Sequence, residues 1–217
     1  MPRYDLVLFD CDGTLYDTFP GLKANYENTL RQMGLPAMPD DFNWRVCIGP
    51  LLTYIFPSLL GVPQERTEEA CAVYRENYKD IAAPLCRLFE GIEQCCDRLY
   101  EGGVKLGVAS SKHVHSLDLT MSGDRIRELF CVVSGPTDAE PGMSKTEAIA
   151  AAVRSTGVPV ERVLMVGDTR FDAIGAAEAG VDFCSVSWGF ASEGDFDGVP
   201  CVLSADEPDE IASFVLE

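Results

Sequence analysis

Basic residues are scarce in this chain: 17 lysines and arginines stand against 35 aspartates and glutamates, for a formal net charge of -18. The few cations form no run, which argues against a nucleic-acid partner. An anionic small molecule must therefore be drawn in by a local cation. Histidine is rarer still, and His113 and His115 read as surface or helix-start positions with no assigned role. Long apolar runs are missing at the start: MPRYDLVLFDCD offers four apolar residues in a row before an aspartate, far short of a secretory h-region or a membrane span. The expected setting is cytoplasmic, with no membrane partner. The nine cysteines include no C-x-x-C pair, which argues against a disulfide framework and against a zinc knuckle. Cys95 and Cys96 fall with Ile92 and Leu99 at the i, i+3, i+4, i+7 spacing of one helix face. Both thiols are therefore expected in a core, as small hydrophobes.

What is present is enough for a core. At 217 residues with 47% hydrophobic content, the chain can form one α/β domain or a core with a small insertion. Short apolar runs at Leu6 to Phe9, Leu106 to Ala109, Cys131 to Val133, Val163 to Val166 and Phe183 to Val186 alternate with helical patterns, and a weaker run, Val199 to Leu203, reads as an edge strand. Such runs predict parallel strands covered on both faces, in a doubly wound, Rossmann-like α/β sheet. Ser144 and Glu147 have capping-box spacing at the start of one helix, Gly157 can stop it, and Gly180 closes the next. From about Phe19 to Pro84 the pattern is helical only, too long for an ordinary crossover. The expected organisation is a core of 1–18 and 84–217 with a helical cap at 19–83, Pro20 and Pro84 lying near the junctions.

Acidic residues crowd two strand ends, in FDCDGTLYDT after the first strand and GDTRFD after a later one. Like charges so close are unfavourable unless a cation, a proton or a reaction intermediate uses them. Asp10-Cys11-Asp12-Gly13-Thr14 matches D-x-D-G-T, Ser110 ends a strand in GVASSK, Lys145 opens a helix, and GDTRFD supplies Asp168 and Asp172. Together, in order and across the whole chain, these pieces resemble the haloacid dehalogenase superfamily, specifically its phosphatases with a helical cap between the first and second motifs.

The resemblance implies a phosphoryl-transfer site. Asp10 would be the nucleophile, forming an aspartyl-phosphate, with Asp12 as acid and then base. Ser110 and Ser111 with Lys145 would bind the phosphoryl group. Magnesium would be held by the Asp10 side chain, the Asp12 backbone carbonyl and the Asp168 side chain, with Asp172 orienting bound water or Lys145. A lysine in the first turn of a helix opposes the macrodipole by roughly 0.3–1 kcal/mol, so Lys145 is expected to have an anionic partner.

Within the cap, WRVCIGPLLTYIF is similar to a segment of phosphoglycolate-phosphatase-like members. It offers Arg45 as a clamp for a second anionic group and Gly49 for close backbone approach. The stretch SGPTDAEPGMSK before Lys145 is acidic where related sequences are often basic, which weighs against strict phosphoglycolate specificity. The expected function is a magnesium-dependent phosphatase of small phosphomonoesters, phosphoglycolate-like or nucleoside monophosphate, active as a monomer or homodimer. The alternatives are a phosphosugar mutase of the same superfamily and a catalytically idle binding protein on this fold.

Overall fold

A computed structural model of the chain describes residues 2–192 and 194–217. In chain order the strands are β1 (Leu6–Phe9), β2 (Tyr16–Asp17), β3 (Arg87–Leu88), β4 (Lys105–Ala109), β5 (Phe130–Ser134), β6 (Val163–Gly167), β7 (Asp182–Val186) and β8 (Leu203–Ala205). The helices are α1 (Phe19–Gln32), α2 (Leu52–Tyr54), α3 (Thr67–Ile81), α4 (Ile92–Glu101), α5 (Val114–Thr120), α6 (Lys145–Thr156), α7 (Arg170–Ala179) and α8 (Pro208–Leu216). Six strands form one parallel sheet in the order β5-β4-β1-β6-β7-β8.

The two-residue period of the strands divides their side chains between two helical layers. Val7, Phe9, Leu106, Val108, Leu164 and Val166 pack with Ile92, Cys95, Cys96 and Leu99 of α4 and with Ile211 and Val215 of α8. Leu6, Leu8 and Met165 pack on the other face with Ile149 and Ala152 of α6 and Ala173 and Ala176 of α7. Every residue of β1 and β6 is buried, as an all-apolar strand covered on both sides requires.

The edge strand β8 begins later than the Val199 to Leu203 run predicts. Pro200 has no amide hydrogen to give a ladder, Val199 is tied by its N–H to the Phe196 carbonyl in a turn, and pairing starts only once the Val202 N–H reaches the Phe183 carbonyl.

Between β2 and β3 the chain is helical. Helices α1 and α3 pack together around Leu22, Tyr26, Leu30, Trp44, Phe56, Tyr74 and Tyr78, and Phe190, from the loop after β7, joins this cluster. Tyr26 is its hub, 4.8 Å from the Tyr74 ring and stacked on Trp44. Where the chain leaves and re-enters the sheet region, β2 and β3 pair antiparallel, with Tyr16 opposite Leu88 and Asp17 opposite Arg87. Two residues per strand show no readable alternation, so sequence periodicity passes over this ribbon.

Candidate active site

Three adjacent strands end together. Register pairs Phe9 with both Val108 and Val166, so Asp10, one residue on, and Ser110 and Asp168, two residues on, each leave the end of a neighbouring strand. This is the switch point of the strand order, where open α/β sheets form a crevice. The Asp10 N–H still bonds the Val166 carbonyl at 2.9 Å, and the Ser110 N–H bonds the Ser134 carbonyl at 3.0 Å, so both residues are positioned by the sheet itself. The chain then turns sharply at Gly13, at a φ of 84°. A Cβ there would collide with the Asp168 carboxylate and the Phe190 ring, so glycine is required for both the conformation and the space.

Asp10, Asp168 and Asp172 are buried and present carboxylate oxygens within 4.8 Å of one another. Lys145 enters this cluster from the first turn of α6. Its Nζ pairs with Asp10 Oδ1 at 2.7 Å and Asp172 Oδ1 at 2.7 Å and donates to the Ala109 carbonyl at 3.2 Å. Burial would lower the pKa of this ammonium, but the two carboxylates raise it well above the ordinary lysine value. These carboxylates are also what offsets the unfavourable helix-dipole position.

The remaining carboxylate oxygens differ in commitment. Asp172 Oδ2 accepts from the Thr169 N–H at 3.0 Å and the Thr169 hydroxyl at 2.7 Å, completing a capping box on α7. Both of its oxygens are thus engaged. Asp168 accepts from the Thr14 hydroxyl at 3.1 Å and the Phe190 N–H at 2.8 Å. Burial, with Asp172 and Asp10 beside it, holds the Asp168 carboxyl well above the usual carboxylate range. Asp172 is also raised by burial, against the pull of Lys145.

The donor set fits a small hard cation. Hydrogen bonds and one lysine do not neutralise three clustered carboxylates, and these are the oxygen donors that a magnesium-sized ion takes.

The Asp12 side chain points away from this trio. It ion-pairs with Lys112, whose own side chain is 6% exposed. Burial pulls the Lys112 pKa down, and the Asp12 carboxylate together with Tyr78 and the Cys11 and Cys86 thiols turns the net shift upward. Asp10, Asp12, Ser110, Ser111, Lys112 and His113 form one wall of a cavity of about 60 Å³. The helical segment forms the opposite wall with Leu22, Tyr26, Tyr74 and Tyr78 and the Cys47 to Pro50 turn. Two of the three tyrosine hydroxyls are spent elsewhere: Tyr26 donates to the Cys47 carbonyl at 3.1 Å, and Tyr78 meets the Thr120 hydroxyl at 2.8 Å.

Of the residues singled out by sequence, the structure gathers Asp10, Asp12, Ser110, Ser111 and Gly49 on this cavity, with Lys145, Asp168 and Asp172 directly behind Asp10. Gly49 has a φ of 97°, and a Cβ there would meet the Phe171 ring at 2.8 Å. Arg45 is not on the cavity. It is exposed, its guanidinium packs 5.7 Å from the Phe19 ring and 5.8 Å from the Phe190 ring, and it lines a separate cleft with Phe171 and Asp195. Sequence reasoning passed over Lys112 and the tyrosine wall. The signal for Lys112 was its position, two residues after a strand-ending serine; the tyrosines read only as the apolar stripes of α1 and α3. Cys11, beside Asp10, is wholly buried and burial raises its thiol, so it is not a reactive thiolate.

A family model described as haloacid dehalogenase-like hydrolase matches residues 7–186. The chain is 33% identical over 186 residues to the tyrosine-protein kinase PtkA of Mycobacterium tuberculosis (strain ATCC 25618 / H37Rv), covering 85% of this chain and 62% of that protein. It thus spans less than two thirds of the length of that relative. A solved structure of PtkA from Mycobacterium tuberculosis aligns with a TM-score of 0.81 at 30% identity, covering 98% of both chains. The chain is also 32% identical over 192 residues to a 5'-nucleotidase of Pseudomonas aeruginosa, covering 88% of this chain and 86% of that one. Its identity to a phosphoglycolate phosphatase of Caulobacter vibrioides is 32% over 198 residues, covering 86% and 81%.

Proposed function

The chain belongs to the haloacid dehalogenase-like hydrolase family, and we propose that it is a magnesium-dependent phosphatase that hydrolyses small phosphomonoesters through a phosphorylated Asp10. The observation that carries this reading is the state of Asp10. Its Oδ1 is held by Lys145, its Oδ2 accepts no hydrogen bond from any described residue, and it faces a cavity roofed by aromatic side chains.

An Asp10 oxygen attacks phosphorus in line with the ester bond. As the Asp10–phosphorus bond forms, the bond to the leaving oxygen breaks, and that oxygen keeps the electron pair and takes a proton from Asp12, which enters this step as the carboxylic acid and regains the proton in the next. A water then attacks the phosphorus on Asp10, forming the new oxygen–phosphorus bond as its proton passes to Asp12. The Asp10–phosphorus bond breaks, phosphate leaves, and the Asp10 carboxylate is restored. Lys145 holds Asp10 in one orientation throughout, and the Ser110 hydroxyl is the donor for an equatorial phosphoryl oxygen. The Asp10 and Asp168 side chains with the Asp12 carbonyl are the residues that would hold magnesium. When bound, the cation neutralises charge on the phosphoryl oxygens and among the carboxylates.

The helical segment, taken as a cap at 19–83, excludes water from this chemistry and shapes the leaving-group side. Relatives named 5'-nucleotidase and phosphoglycolate phosphatase support small phosphomonoesters as the substrate class.

The test is free phosphate release from a panel of such esters. Wild type is expected to release phosphate with magnesium and not with chelator. Asp10→Asn is expected to lose on the order of 10⁴-fold or more, as when one member of a catalytic unit is removed, while melting close to wild type. Retained activity in Asp10→Asn would sink the nucleophile assignment.

A further inference from the structure

The site holds two buried lysines, and their surroundings differ in a way that assigns them different tasks. An ammonium has three N–H donors and no acceptor. Lys145 spends all three inside the protein, on Asp10, Asp172 and the Ala109 carbonyl. Lys112 has a single acceptor among the described residues, the Asp12 carboxylate. The residue lines the cavity, and its Nζ lies 5.1 Å from the centroid of the Tyr78 ring. Burying a lysine is costly unless its charge and donors are used, so a desolvated ammonium with uncommitted donors on a cavity wall is built to receive a ligand oxygen.

The location of Lys112 says which oxygen. It is paired to Asp12, the residue assigned to the leaving oxygen, whereas Lys145 is paired to Asp10, the residue assigned to phosphorus. Its neighbour on the same wall, His113, accepts the His115 N–H at 3.3 Å through Nδ1 and has its pKa lowered by burial, so it offers no fixed cation, and Arg45 lies outside the cavity altogether. A cavity of about 60 Å³ has room for roughly four water-sized groups at about 15 Å³ each, so what Lys112 meets is close to the ester oxygen.

Resting on the phosphatase reading, we propose that Lys112 is the specificity-determining residue of this site, binding an anionic oxygen carried by a short leaving group, a carboxylate within one or two carbons of the ester. Arg45 does not serve this role.

The experiment compares 2-phosphoglycolate with ethyl phosphate, a partner of similar size without the charge. Turnover is measured for wild type, Lys112→Met, Lys112→Arg and Arg45→Ala, with inorganic phosphate as a competitive inhibitor. Wild type should favour the charged ester. Lys112→Met should lower kcat/KM for 2-phosphoglycolate by roughly 10- to 150-fold, the loss of one hydrogen bond between charged groups, chiefly through KM. Ethyl phosphate turnover should also fall, because Asp12 loses its partner, but by a smaller factor, so the ratio of the two kcat/KM values drops toward one, and Lys112→Arg should recover part of that ratio. The proposal is overturned if wild type shows no preference, if Lys112→Met weakens both esters and phosphate alike, or if Arg45→Ala removes the preference instead. Should Lys112→Met fail to fold, Lys112→Gln, which keeps two donors without the charge, must lose the same preference.

If no ester is turned over, the phosphatase reading fails separately. Calorimetric titration of the same two esters into wild type and Lys112→Met then decides whether Lys112 discriminates between them.

Discussion

The carboxyl edge of the sheet and the helical segment that faces it are built from opposite materials. At the sheet edge, charge is concentrated: three carboxylates and a lysine lie within a few ångströms, aimed by strand ends and helix caps whose backbone bonds leave no freedom. Across the cavity the wall is aromatic, and the hydroxyls of Tyr26 and Tyr78 are consumed within the protein rather than offered to a ligand. Chemistry is therefore rigidly placed on one side, and the other side supplies shape and dryness. Lys112 belongs to the sheet side by sequence but reaches the Tyr78 ring, and it is where the two materials meet.

The comparison can be broken most severely on the charged side. Asp168→Asn keeps one oxygen to accept the Phe190 N–H, places its NH2 where the Thr14 hydroxyl can turn to accept, and removes one charge of the trio. The magnesium concentration for half-maximal activity is expected to rise by on the order of 10- to 100-fold or more, since even outer partners of a metal site have effects of that size. An unchanged metal requirement would remove Asp168 from the ligand set. The same cluster sets a pH dependence. Asp168 and Asp172 are raised in the folded protein, so without metal the folded state binds more protons than the unfolded chain above the ordinary Asp value of 3.8. Metal-free stability is then greatest below that value and falls as pH rises through the folded-state values. Magnesium relieves the repulsion of the ionised forms, so its increment in Tm should be larger at pH 7.5 than at pH 5. An equal increment at both would show that the carboxylates are not the binding groups.

How much of this was legible in the sequence divides along the same line. The sheet and its acidic edge were legible because each feature is local: an apolar run, a D-x-D-G-T turn, a capping box at Ser144, glycines that end α6 and α7. The β2–β3 ribbon was not, because two residues paired across some seventy positions leave no periodic trace. The setting of Arg45 was not legible for a related reason. Its surroundings, Phe19 and Phe190, come from chain segments on either side of it, and no local pattern shows that they hold the guanidinium away from the cavity. Lys112 was hidden by the ordinary expectation that lysines are exposed, which fails only when the cavity it lines is seen.

The smallest effect sharpens the comparison from the aromatic side. Thr120 donates its hydroxyl hydrogen to the Ser116 carbonyl at 2.8 Å, so in the bond between Tyr78 and Thr120 the tyrosine is the donor. This buried bond ties α3 to α5, the helical segment to the sheet side. In Tyr78→Phe the Thr120 donor stays satisfied and the ring beside Lys112 is kept, so only one neutral hydrogen bond is lost, about 0.5–1.5 kcal/mol. For a chain of this size that is a fall in Tm of only a few degrees, roughly 2–4 °C per kcal/mol. If placement of charge and provision of shape are separate tasks, the metal requirement should not move in this variant, while KM for small esters rises modestly. A metal requirement that shifts with Tyr78→Phe would mean that the helical segment helps to hold the acidic edge, and the two regions would have to be treated as one.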